Sequence, residues 1–257
     1  MHESPRRHRE IWILLYVLHK VRSVTDLTLR YLVNVPSGRA ETEPMPMVIV
    51  MHGRGADAHD LADLAPMLDA APGCRFVFPN ALRPWETAPG MTFGWTWFDG
   101  WPPEPSSLVA SRENLLKFID EIRERYATTA LIVAGFSQGA MMALDVGLRT
   151  DAAALIVMSG GLYEFPEGGV VRASGAPSKA REDARTTPAR TTPPVFIGHG
   201  TIDDVVPISY GRRARLVLEE RGFDVEYHEY PMGHQIVMEE IEDVRRFLGV
   251  SLATERP

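Results

Sequence analysis

Apolar residues along this chain occur in two patterns: short unbroken runs, and longer segments with an apolar residue every three or four positions. Residues 47–51 (Met-Val-Ile-Val-Met), 130–134 and 154–158 are runs of the first kind and read as buried strands. Residues 75–79 supply a further strand, and 195–200 a strand that ends in a polar turn. At 27–35, Leu27, Leu29, Tyr31, Val33 and Val35 alternate with mostly polar neighbours, the period of a strand with one covered face, and 224–230 supplies a last strand. Helical spacing predicts helices over 58–70 (Leu61, Leu64, Leu68), 106–126 (Leu115, Ile119, Ile122), 209–221 and 234–248 (Ile241, Val244, Phe247), with another directly after Gly139. Strands alternating with helices predict an α/β fold: a mostly parallel central sheet with helices on both faces.

Three stretches fall outside this pattern. Residues 81–105 are rich in Trp, Pro and Gly and predict a long irregular loop, a length unusual unless the loop has a task. Its aromatics either pack the loop onto the core or, for Trp97 and Phe98, wall an apolar substrate pocket. Residues 167–194 hold hardly any large apolar side chain and predict a mobile surface insertion that cannot bury itself. At the N-terminus, Arg6, Arg7 and Arg9 precede an apolar run at 11–18, followed at once by His19, Lys20 and Arg22. That run is far short of the roughly 20 residues that span a bilayer, and no small-x-small cleavage site or lipidation motif accompanies it. Residues 1–23 therefore read as a poorly ordered extension, and 24–250 as a single domain. No stable membrane insertion is expected, and the expected location is cytoplasmic.

Composition narrows the function. A net charge of −7 over 257 residues, with no dense basic stripe, argues against nucleic-acid binding. One cysteine, Cys74, excludes an intramolecular disulfide and a cysteine-rich metal site. Hydrophobic residues at 45% and charged residues at 24% match an ordinary globular chain.

Candidate chemistry gathers where strands end, the edge at which open parallel sheets bind ligands. The run at 130–134 leads into Gly135-Phe136-Ser137-Gln138-Gly139 and then into small and apolar residues suited to a helix. A serine on so sharp a turn needs neighbours without bulk. The turn lifts the Ser137 hydroxyl above the sheet edge and aims the Gln138 amide at any negative charge forming nearby. A serine hydroxyl needs a base. His234, in the small-residue turn Met232-Gly233-His234 after the last strand, is the best placed of eight histidines, whereas His52 and His199 precede glycines at strand ends and read as turn supports. The imidazole needs an acid to set its tautomer, and Asp203 and Asp204 both follow the penultimate strand. The order Ser, Asp, His is that of an α/β-hydrolase.

Gly135–Gly139, the His-Gly-Arg-Gly-Ala of 52–56, His199-Gly200-x-x-Asp203-x-x-Val206-Pro207 and Met232-Gly233-His234 together resemble the phospholipase/carboxylesterase (acyl-protein thioesterase-like) family of α/β-hydrolases. The resemblance covers about residues 27–248. It implies Asp203 as the acid, and the backbone amides of Arg54 and Gln138 as an oxyanion hole. Trp97-Phe98-Asp99 resembles an aromatic–acid block of the family. The implied activity is that of a serine hydrolase acting on a small-molecule ester or thioester, with no metal or organic cofactor, because the residues supply nucleophile, base and anion stabiliser. Cleavage of lactones or peptides on the same residues, and a hydrolase fold that only binds, are the rival readings. The insertion at 167–194, the N-terminal extension and Ala140, where a further glycine is common, depart from the family pattern.

Overall fold

The computed structural model describes residues 19–69, 73–162 and 192–254. Nearly all of the expected N-terminal extension, and the expected insertion up to residue 191, lie outside them. Eight strands form one sheet: β1 (His19–Val24), β2 (Tyr31–Pro36), β3 (Met45–Met51), β4 (Arg75–Pro79), β7 (Thr128–Phe136), β8 (Ala154–Met158), β9 (Val195–Gly200) and β10 (Val225–Tyr230). Their order is β1-β2-β4-β3-β7-β8-β9-β10. The β1–β2 and β2–β4 pairs are antiparallel, while β3, β4, β7, β8, β9 and β10 run parallel, so those six strands all end at one edge.

Strict alternation of apolar side chains builds a core on each face. Met47, Ile49, Leu131, Val133, Leu155, Val157 and Ile197 point to one side, beneath α2 (Pro105–Arg125), α3 (Gln138–Gly147) and α4 (Ser209–Glu220). Val48, Val50, Ile132, Ala134, Ile156 and Phe196 point to the other, beneath α1 (Ala65–Leu68) and α5 (Met238–Thr254). Among the described residues, no helix is long and apolar enough to cross a membrane.

Four expectations need correction. Residues 19–23, expected to be disordered, belong to β1, whose backbone pairs with β2 from His19↔Pro36 to Val24↔Tyr31. Main-chain pairing places this strand, whose mostly polar sequence offers only Val21 and Val24 as apolar residues, Val24 packing against the core. The predicted strand at 27–35 begins only at Tyr31, because the Glu121 carboxylate on α2 takes both the amide (2.8 Å) and the hydroxyl (2.7 Å) of Thr28. In place of a helix over 58–70 there is a turn, a 3-10 segment (Ala62–Leu64) and the single turn α1, with residues 70–72 outside the described set. Side chains capture the early amides there: Asn80 holds Ala58 N and Asp57 holds His59 N. Pro66 can be accommodated only in the first turn of the helix that follows. The loop over 81–105 contains a hairpin, β5 (Arg83–Ala88) and β6 (Met91–Thr96), turning at Gly90 with φ +78°.

Among the described residues, the buried Glu240 carboxyl has no hydrogen-bond partner. Glu240, in the first turn of α5, is fully buried against β9, where a Cβ on Gly198 would overlap Glu240 Oε1. Burial, reinforced by Asp243, pushes this carboxyl from its ordinary 4.5 up to about 8. Between those values the unfolded chain is ionised while the folded chain keeps its proton, so stability falls as pH rises, by up to about 1.4 kcal/mol per pH unit. Urea unfolding at pH 5 and pH 8 should show this decline, and Glu240→Gln should flatten it.

Candidate active site

Ser137 lies between the end of β7 and the start of α3 with φ 56° and ψ −120°, a conformation that costs a non-glycine residue about 1–3 kcal/mol. Close packing imposes it. A Cβ on Gly139 would overlap the Met51 carbonyl at the end of β3, and a Cβ on Gly135 would overlap the Gly139 carbonyl. Only glycines let strand, turn and helix approach so closely. The Ser137 amide donates to Met158 O at the end of β8 (2.9 Å), and its carbonyl accepts from Ala140 and Met141 at 3.1 and 3.2 Å. The residue is therefore gripped from both neighbouring strands and from its own helix.

The turn after β10 brings His234 over this serine. His234 Nε2 is 2.8 Å from Ser137 Oγ, and Nδ1 is 2.8 Å from Asp203 Oδ2. Asp203 Oδ1 accepts the amides of Val205 (3.0 Å) and Val206 (2.8 Å), which fixes the carboxylate plane, while Asp204 is exposed. The Phe136 ring lies 4.8 Å from the imidazole, a contact that the sequence did not announce. Helix α5 starts at Met238 rather than at His234, so His234 sits in a turn.

The loop after β3 passes directly over the elbow: a Cβ on Gly53 would touch Ser137 Cβ at 3.4 Å. No acceptor takes the Arg54 or Gln138 amide among the described residues. Four contacts hold the loop. Trp97 Nε1 donates to His52 O (2.8 Å), Gly55 N to Trp95 O (2.8 Å), Trp95 N to Ala56 O (2.9 Å) and the Arg54 guanidinium to Gly100 O (2.9 Å). The buried His52 ring donates from Nδ1 to Gly53 O (2.7 Å) and accepts the Ala81 amide at Nε2 (3.1 Å). Burial holds its pKa down to about 4, so it stays neutral and serves the loop as a fixed prop.

The expectation that Trp97 and Phe98 wall a pocket is corrected here. They are 1% and 0% exposed and lie behind the elbow, in the core beneath α2. Their backbone meets the Gln138 side chain instead. Gln138 Oε1 accepts from Trp97 N (2.7 Å) and Thr96 Oγ1 (3.0 Å), and Gln138 Nε2 donates to Phe98 O (2.7 Å). Sequence reasoning missed this role for Gln138 and Thr96, since the partners are some forty residues apart in the chain.

The model of the phospholipase/carboxylesterase family matches residues 38–252, most of the chain. The chain belongs to this family. It is a hydrolase with the α/β-hydrolase fold. Acyl-protein thioesterase 1 of Debaryomyces hansenii is 30% identical over 235 residues, covering 83% of this chain and 96% of that relative. Acyl-protein thioesterase 1 of Saccharomyces cerevisiae is 29% identical over 227 residues, covering 80% and 93%. Among solved structures, esterase PE8 is 28% identical, with a TM-score of 0.64 over 90% of this chain and 97% of that one. A carboxylesterase from Mesorhizobium loti, at 21% identity and a TM-score of 0.66 over 89% and 98%, shares the fold.

In this family member Gln138→Ala would keep the backbone amide but strand the buried Trp97 N–H, while the Phe98 carbonyl keeps the Thr96 hydroxyl (2.8 Å) as a donor. Leaving a buried N–H unpaired costs about 1–3 kcal/mol. Urea denaturation should show the variant less stable by about 1–3 kcal/mol.

Proposed function

We propose that this hydrolase cleaves carboxylic esters and thioesters through an acyl-enzyme formed on Ser137. The observation that carries the reading is the continuous chain of contacts from Ser137 Oγ through the His234 ring to Asp203, each link 2.8 Å. Ser137 Oγ adds to the substrate carbonyl carbon as its proton passes to His234 Nε2, and Asp203 stabilises the imidazolium across Nδ1. The carbonyl oxygen becomes an oxyanion and rests on the amides of Arg54 and Gln138, assisted by the positive end of α3. Collapse breaks the bond to the leaving group, which departs as alcohol or thiol with the proton from His234. A water then gives a proton to the same nitrogen and adds to the acyl carbon. The second collapse frees the carboxylic acid and returns the proton to Ser137. The substrate class is supported by the family description and by the relatives named as thioesterases, and small-molecule acyl esters and thioesters are the substrates to test first.

A fluorophosphonate probe should label the wild-type protein and not Ser137→Ala; equal labelling of both would overturn the assignment. Against a panel of acyl esters, thioesters, lactones and peptides, turnover should appear with the esters and thioesters, and cleavage of lactones or peptides alone would overturn the substrate class. Asp203→Asn should lower kcat by about 10³–10⁴ while Asp204→Asn leaves it near the wild-type value, since only a buried, bonded carboxylate can set the imidazole tautomer. Arg54→Ala keeps the backbone donor and should retain most of the rate, whereas loss of such a donor typically costs about 10²–10³.

A further inference from the structure

The geometry points to His199 as a positioning residue for the acid of the triad, a reading that rests on the catalytic assignment above. His199 occupies the penultimate position of β9 and is fully buried on the face covered by α4. The ring is wedged against that helix: a Cβ on Gly211 would come within 2.7 Å of His199 Nδ1. Nε2 lies 2.8 Å from Val206 O. A carbonyl only accepts, so Nε2 carries the hydrogen and Nδ1 is bare, without a partner among the described residues. Burial drives the ring toward the neutral form, despite Asp203 and Glu229 nearby, and the neighbouring His234 acts in the same direction.

The bond to Val206 matters because of what Val206 holds. The Val205 and Val206 amides grip Asp203 Oδ1, leaving Oδ2 for His234 at 2.8 Å, while His199 Nε2 is 3.7 Å from Oδ2. One path therefore runs from the His199 ring to the Val206 carbonyl, across the Val206 backbone to its amide, and through the Asp203 carboxylate to the catalytic imidazole. Residues 201–208 have no regular structure, and Ile202 and Val205 are largely exposed; the turn is anchored by the buried Val206 side chain, by backbone bonds from Thr201 and Ile202 to Tyr230 and Met232, and by the His199 ring beneath the Val206 carbonyl. The buried His199 ring, held toward its neutral form by burial, supplies a fixed donor and sets the turn from below. Without it, the buried Val206 carbonyl loses its donor, and the backbone that presents the Val206 amide to Asp203 can shift and misplace the carboxylate against the imidazole. Misplacement of a catalytic group by about 1 Å can cost about 10²-fold.

The test compares three variants. His199→Leu removes the donor at similar volume. His199→Gln places an amide N–H where Nε2 stood. His199→Asn, whose amide reaches only as far as Nδ1, replaces the Leu variant should that one fail to fold. With an ester substrate, Leu or Asn should lower kcat by about 10–100-fold at unchanged KM, and Gln should recover most of it. The acid limb of kcat/KM should move to lower pH in the Leu or Asn variant, since a loosened Asp203 stabilises the His234 imidazolium less. Equal impairment of Leu, Asn and Gln, a rise in KM alone, or an unmoved acid limb would reduce His199 to core packing and overturn the proposal. Fluorophosphonate labelling beside Ser137→Ala separates this from failure of the parent reading. Labelling that survives in Ser137→Ala overturns both, whereas Ser137-dependent labelling with a wild-type-like His199→Leu overturns the role of His199 only.

Discussion

The sheet edge that brings Ser137, His234 and Asp203 together depends on one strained residue. Ser137 holds a backbone conformation that a serine in isolation would leave, because the end of β3, the end of β8 and the first turn of α3 leave it no other. The strain persists because its surroundings over-determine it. The same packing sets where the hydroxyl points and where the Gln138 amide points, so the two cannot drift apart. Any change that lets α3 lift from β3 would move both.

Around this elbow, buried polar contacts replace covalent ties. The Gln138 side chain is bonded to the strand end at 96–98, and the hairpin β5–β6 is bonded to the loop that carries Arg54. His52 props that loop as a neutral ring. Across the edge, Asp203 is set by two amides of its own turn, and the His199 ring lies beneath them. In each case a group away from Ser137 and His234 fixes the direction of one close to them. These bonds are strong because they are shielded from water, and for the same reason each is costly to lose.

Much of the fold could be read from residue spacing. Strands such as 47–51 and 154–158 are buried on both faces, so their hydrophobic runs are unambiguous, and they sit in the middle of the parallel sheet. Ser137, His234 and Asp203 were picked out from short local patterns at strand ends, and the structure brings them within hydrogen-bond reach. The elements that escaped notice are those whose reason lies elsewhere in the chain. β1 is polar and is placed by main-chain pairing with β2. The hairpin at 83–96 was obscured by its Pro and Gly residues, and the spacing of Leu61, Leu64 and Leu68 suggested a longer helix than Pro66 and the side-chain caps allow.

By itself, then, the sequence determined the class of fold, the order of its elements and the residue types available for chemistry, because hydrophobic period and turn chemistry are local properties of a chain. The tertiary structure alone decided that Trp97 and Phe98 are buried in the core behind the elbow, and that the Gln138 side chain locks the elbow to a distant strand end. Those outcomes follow from direction and burial. Both are set by residues tens of positions away, and no local pattern records them.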